Sequence, residues 1–478
     1  MLCYSIGRWD GLQATLLKEA ERMITEKISH FVAGTVVEDI PQAALSAARL
    51  GITDFIGVAL AGCKEKQSEI VMDYARKLGG VPQASVIGGG FRTSPYLAAL
   101  VNGTTGHALD YDDMAVSLTG HPSVFLAPAI LAVGESTEAS GQDILAAYVV
   151  GYETACCVAR PVLHSHYVQG WHSTATFGSL GAAAAAAWLL KLNMRQVRMA
   201  LGIAASLAGG LRQNFGTMTK PLHAGKAAAN GIQAVLLAQA GFTADDNIIE
   251  APLGFARVFG HGGEVDWAKA SENLGKTFVI TGEAGLCIKP YPSCGFTHCA
   301  VDAALYVREG HKVDAKDIVE VELGVSPFDK QILIHHCPET GLEGKFSLEY
   351  TVARTLLSGK LWLKHFTDGA VAEPEVKNLM EKMKWVEKYP MPVMGTSQGF
   401  GVKSVTVKLR DGREYSKEVS IAKGMPNNPL GLDEFNSKFR DCASVVLSEE
   451  DVEESLSLLS NLQQVNNIRK IAQIVARK

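Results

Sequence analysis

Between Glu153 and Asp245 the chain runs for 91 positions without one acidic residue, where its mean acidic content would place about nine or ten. The same stretch keeps Arg160, Lys191, Arg195, Arg198, Arg212, Lys220 and Lys226, together with His164, His166, His172 and His223. Buried helices are poor in every kind of charge, which accounts for part of the depletion. It does not account for cations that survive while every carboxylate is gone. A site built for an anionic ligand produces this bias, since a nearby carboxylate would repel the ligand and neutralise the cations.

Proline context points to some of the same residues. His121, Lys220 and Lys289 each directly precede a proline, as does Arg160. Proline moves its predecessor out of helical geometry and favours the first helical turn. His121 and Lys220 are therefore expected at helix N-termini, where unpaired N–H groups already favour an anion. HALDYDD at 107–113, followed by GHPS at 120–123, sets three carboxylates within four residues. The glycine and glutamate of a calcium loop do not follow, and a helix end with solvated aspartates is the plain alternative. The preferred reading puts Asp110 beside a histidine, fixing its orientation and tautomer for proton transfer. Arg212, His223 and Lys226 form a second rank of substrate-binding candidates. His223 and Lys226 are three apart and share a helix face, and Lys226 reads equally well as a surface charge.

Other chemistries find no support. G-x-S-x-G, Walker and H-E-x-x-H patterns are absent, and Gly88-Gly89-Gly90 lacks the dinucleotide fingerprint. Cys294, His298 and Cys299 have no second ligand pair at zinc spacing, and His335-His336-Cys337 reads as a loop cluster. No metal is expected.

The elements that must hold these residues are mostly helices. At 478 residues the chain exceeds one ordinary core, so two domains are expected. Apolar residues at helical spacing mark segments near 14–33, 41–62, 95–109, 122–134, 141–159, 174–190, 194–208 and 222–240. The alanine-rich run from Ser173 to Leu190 reads as a buried helix in close contact with its neighbours, not a membrane span. After about residue 270 the pattern changes. VEVELGV at 318–324 alternates as a strand, and 404–421 reads as a hairpin turning at Asp411-Gly412. Helices are expected at 297–309, 346–358 and 373–386, and amphipathic helices return from Leu432. The order predicts a helical domain from both chain ends, 1–270 with 425–478, and an inserted α+β lid at 271–424.

A net charge of -5 gives no basic surplus for nucleic acid or an anionic membrane. MLCYSIGRWDGLQ lacks the apolar run of a secretory signal, and acidic residues interrupt a transit-peptide reading. Nine cysteines without a CxxC pair fit a reducing compartment, so a cytoplasmic protein is expected.

HALDYDD, GHPS, GWHSTATFGSLGAAAAAA (170–187), TKPLHAGKAA (219–228), KPYPSCGFTHCAVDAAL (289–305) and KFSLEY (345–350) together resemble proteins of the MmgE/PrpD family. These blocks follow the family's order from about residue 40 to the tail. The family includes 2-methylcitrate dehydratases, cis-aconitate decarboxylases and iminodisuccinate epimerases. The resemblance implies a helical domain, a smaller α+β lid, homodimers, and catalysis without metal or organic cofactor. Its site positions fall on Asp110, His121, His172, Lys220 and Lys289. Where the cis-aconitate decarboxylases have threonine after the aspartate cluster, this chain has Met114, and its Asp110–His121 segment is one residue longer.

The shared chemistry would remove or deliver a proton at carbon next to a carboxylate. Lys220 and Lys289 are assigned to carboxylate binding and charge stabilisation, and His121 and His172 to proton transfer with Asp110 in support. Dehydration of a small hydroxy di- or tricarboxylate such as 2-methylcitrate is the first expectation. Epimerisation or isomerisation of a polycarboxylate comes second, then cis-aconitate-type decarboxylation, then a non-catalytic polycarboxylate-binding protein.

Overall fold

In the computed structural model, residues 23–260, 262 and 265–477 are described. The chain is mostly helical with one four-stranded sheet. The expected helix at 14–33 is seen as Ile24–Gly34; residues 14–22 lie outside the described residues. The other expected helices of the first half appear as Gln42–Gly62, Pro95–Gly106, Ser123–Thr137, Gly141–Ala159, Ser173–Leu189, Met194–Leu207 and Thr219–Gln239. Local sequence fixes several starts. Ser140 and Asp143 form a reciprocal capping box, as do Asn193 and Gln196.

The Ser173–Leu189 helix is buried along almost its whole length and packs on Gly141–Ala159 and Thr219–Gln239. Small side chains make this possible. The Pro95–Gly106 and Thr219–Gln239 helices touch through Gly103 and Gly225, and a Cβ on Gly225 would lie 2.0 Å from the Leu100 carbonyl oxygen. The crossing sets the end of the first helix, where HALDYDD begins, against the start of the second, which carries Lys220. The Gln42–Gly62 helix is long and apolar enough to cross a membrane by length and composition, and 72% of its most apolar window is buried.

The sheet runs Met383–Glu387, Ile318–Val325, Lys403–Leu409, Glu414–Val419. Its first pair is parallel and the other two antiparallel, with Leu323 opposite Val405 and Val405 opposite Lys417. The hairpin turns at Gly412, whose φ of +87° suits glycine. The expected 373–386 helix is corrected: it covers only Pro374–Met380, and Met383–Glu387 is a strand. Pairing with Ile318–Val325, remote in sequence, overrides local propensity there.

The tail helices return to the first half, Leu432–Ala443 against Gln42–Gly62 and Arg469–Val475 against Ser123–Thr137. Met114, Val116, Tyr167 and Phe215 of the first half pack into the core around the sheet. Met114–Ala115 and Leu286–Cys287 form a short antiparallel ladder. It brings the chain after HALDYDD alongside the chain entering Lys289.

Candidate active site

The HALDYDD loop leaves the Pro95–Gly106 helix and folds over its end. Asp110 takes φ +51°, a left-handed conformation that aspartate tolerates better than most residues. Its Oδ1 lies 2.6 Å from Lys289 Nζ, 3.2 Å from Lys220 Nζ and 3.8 Å from His121 Nε2. Burial alone would raise the Asp110 carboxyl; Lys220, Lys289 and His121 overcome it and hold it well below the usual range. Lys289 is fully buried, and its ammonium, which burial would weaken, is held above its ordinary value by Asp110 and Asp112.

Asp110 lies beside His121 but beyond hydrogen-bond reach; the bonds that orient the histidines come from Asp112. His107 Nδ1 is 2.9 Å from Asp112 Oδ1, and His121 Nδ1 is 3.0 Å from Asp112 Oδ2 and 2.9 Å from the Asp113 carbonyl oxygen. Both partners of His121 Nδ1 are acceptors, which assigns the proton to Nδ1 and leaves a lone pair on Nε2. Burial, opposed by Asp112 and reinforced by Lys289 and Lys220, lowers His121 below the usual imidazole value. His107 is pushed down to about 3, mainly by burial against the pull of Asp112.

His172 is the residue before the Ser173–Leu189 helix, and its Nδ1 meets His223 Nδ1 at 3.1 Å. Burial first, then His223 and Lys220, hold His172 well below the ordinary value. Lys220, in the first turn of Thr219–Gln239, has its Nζ 5.1 Å from the Phe346 ring centre and 5.3 Å from that of Phe215.

Asp110, His121, His172 and Lys220 line one cavity of about 30 Å³. Lid residues Phe346 and Phe400, together with Met114 and Phe215, supply an apolar side. Such a volume holds a water or two, not a substrate of several carbons. Lys289 sits behind Asp110 without lining the cavity.

Of the second-rank candidates, His223 joins the site through His172. Arg212 instead bridges the two halves: it donates to the Tyr167 carbonyl at 2.5 Å and the Gln331 carbonyl at 3.0 Å, and stacks 4.0 Å over Tyr167. Lys226 points away, donating to the Tyr96 hydroxyl at 3.0 Å. His107 and Asp112, not singled out from sequence, were signalled only by lying inside HALDYDD.

Among the described residues, His107, Asp110, Asp112 and His121 offer ligand atoms within 4.8 Å of one another. Two ammonium groups against Asp110 oppose a divalent cation there. The arrangement suits an anion: the Lys220 ammonium, a histidine lone pair and a second histidine face one small cavity.

Comparison with known proteins gives this architecture a class. The family profile for the MmgE/PrpD N-terminal domain matches residues 26–268, and that for the C-terminal domain matches 291–464. The chain belongs to the MmgE/PrpD family. Among its relatives, a cis-aconitate decarboxylase of Mus musculus is 27% identical over 471 residues, covering 95% of this chain and 93% of the relative. One from Homo sapiens is 27% identical, covering 93% of each chain, and one from Aspergillus terreus is 26% identical, covering 95% of this chain and 96% of its own. These relatives support a lyase-type activity at the level of the family.

Proposed function

We propose that the chain is a cofactor-free lyase that dehydrates a small hydroxy di- or tricarboxylate such as 2-methylcitrate. The observation that carries this reading is the pairing of an unprotonated His121 Nε2 with a second histidine and Lys220 around one cavity. In this scheme the lid opens, and a substrate carboxylate takes a place beside Lys220. His121 Nε2 removes the proton from the adjacent carbon. The enediolate-like charge grows against the Lys220 ammonium, in a site free of bulk water. The carbon–oxygen bond to the hydroxyl group then breaks, and His172 delivers the proton with which it leaves as water. Substrate carboxylates raise the proton affinity of His172, and His223 steadies its ring. Lys289 keeps Asp110 ionised, and Asp112 holds His121 in the required tautomer.

A second reading is favoured by the relatives: decarboxylation of a cis-aconitate-like acid, in which carbon dioxide departs and a histidine protonates the resulting carbanion. Met114, on the cavity wall in place of the threonine of that group, argues for dehydration first.

Purified protein incubated with 2-methylcitrate, citrate, cis-aconitate and iminodisuccinate, followed by proton NMR, tests the proposal. The expected result is conversion of a hydroxy acid to its unsaturated product. Carbon dioxide release from cis-aconitate alone would replace it by the second reading, and binding without turnover of any acid would make this a binding protein.

A further inference from the structure

Three consecutive carbonyl oxygens of HALDYDD accept hydrogen bonds from three different lysines. Lys345 Nζ donates to Leu109 at 2.6 Å, Lys289 Nζ to Asp110 at 2.8 Å, and Lys438 Nζ to Tyr111 at 2.8 Å. All three lysines are buried. Two of them also grip the segment that carries Lys289: Lys345 donates to the Pro292 carbonyl at 2.9 Å and Lys438 to the Lys289 carbonyl at 2.9 Å. Each therefore spans the same two segments, one from the lid and the other from the Leu432–Ala443 helix.

Lys438 uses all three of its N–H groups, the third on Asp54 Oδ1 at 2.6 Å in the Gln42–Gly62 helix. Its ammonium lies 4.0 Å from the Tyr111 ring centre, and that of Lys345 lies 4.5 Å from the Phe366 ring centre. Burying an ammonium is costly unless its protons are used, and well-packed apolar side chains fill a core at least as well. What an ammonium adds is a fixed, branched donor that holds two backbone oxygens at one spacing. Asp110, in its left-handed conformation between the outer two gripped carbonyls, is the residue such a hold would secure. Burial, opposed by Asp110 and Glu65, pulls Lys345 down to about 7, and a neutral amine still donates the two bonds it makes here.

We infer that Lys345 and Lys438, the latter anchored by Asp54, are positioning residues that staple the Asp110 loop to the Lys289 segment and so set the Asp110–Lys289–Lys220 geometry. The staple itself follows from the structure; its kinetic effect rests on the proposed lyase reading.

The full-length Lys345→Met and Lys438→Met proteins, compared with wild type by hydrogen exchange and mass spectrometry, test the inference. Peptides covering 107–114 and 286–294 should exchange at least about tenfold faster, with the rest of the chain nearly unchanged. Wild-type exchange in either segment, or acceleration spread evenly over the chain, would overturn it. If Lys438→Met yields no folded protein, Lys345→Met and Asp54→Asn decide by the same criteria. With whichever acid is turned over, Lys438→Met should lower kcat about tenfold with KM within threefold, and should add little to Lys289→Ala. Full additivity with Lys289→Ala would contradict action through that lysine. If no acid is turned over, the lyase proposal fails while the exchange measurement still decides the staple.

Discussion

His121 is ready to accept a proton near neutral pH, because Asp112 and the Asp113 carbonyl hold its Nδ1 proton and burial keeps the ring neutral. Its folded value lies below the ordinary imidazole value, so the base form persists as pH falls through 6.5. The acidic limb of kcat/KM is accordingly expected below pH 6.5, and a limb at or above that value would remove His121 as the base. Lysine substitutions separate two roles. Lys289→Ala strips the buried Asp110 carboxylate of its nearest cation and should cost about 3–5 kcal/mol of stability as well as activity. Lys220→Ala, at the cavity wall, should raise KM and lower kcat with a smaller fall in melting temperature. Equal melting temperatures for the two variants would contradict this division. Lys220 was legible in the sequence because acid depletion and proline context both select it, and Lys289 through proline context alone. The pairing inside HALDYDD was not: spacing shows three aspartates near two histidines, and only the loop's path assigns Asp112 to the histidines and Asp110 to the lysines. Lys345 and Lys438 escaped for another reason, since side chains that grip remote backbone carbonyls leave no local pattern.

At the scale of elements, the contact between the Pro95–Gly106 and Thr219–Gln239 helices sets Asp110 against Lys220. The absence of a Cβ at Gly225 permits it. Gly225→Ala should force the helices apart, costing about 1–3 kcal/mol in melting experiments, and should lower activity per folded molecule. An unchanged melting temperature would show that the helices yield without strain. Most helices of the first half were readable from their apolar residues, but Lys66–Leu78, a helix of charged and polar character, was not among those expected. The Met383–Glu387 strand was not, since KMKWVEK continues an amphipathic helical pattern and only the partner at Ile318–Val325 makes it a strand. Arg212 was recognised as a cation of the anion-favouring stretch, yet its partners are carbonyls on both sides of the cleft, which no local spacing encodes.

Across the whole molecule, the site lies where helical-domain residues enter the core around the sheet, and side chains from both regions line its cavity. The lysines crowding Asp110 make the His107–Asp110–Asp112–His121 group a poor place for a divalent ion. Activity should survive exhaustive chelation; complete loss, restored by a single divalent ion, would contradict the anion-site reading. The central claim is proton transfer between a histidine and carbon next to a carboxylate. Its most direct measurement is solvent exchange in D₂O with the acid that the protein turns over, read by NMR for wild type, His121→Gln and His172→Gln. The account predicts that wild type exchanges the proton next to the carboxylate with solvent. It predicts exchange at least about a hundredfold slower in His121→Gln, and turnover impaired in His172→Gln while exchange survives. Full wild-type exchange in folded His121→Gln would contradict it.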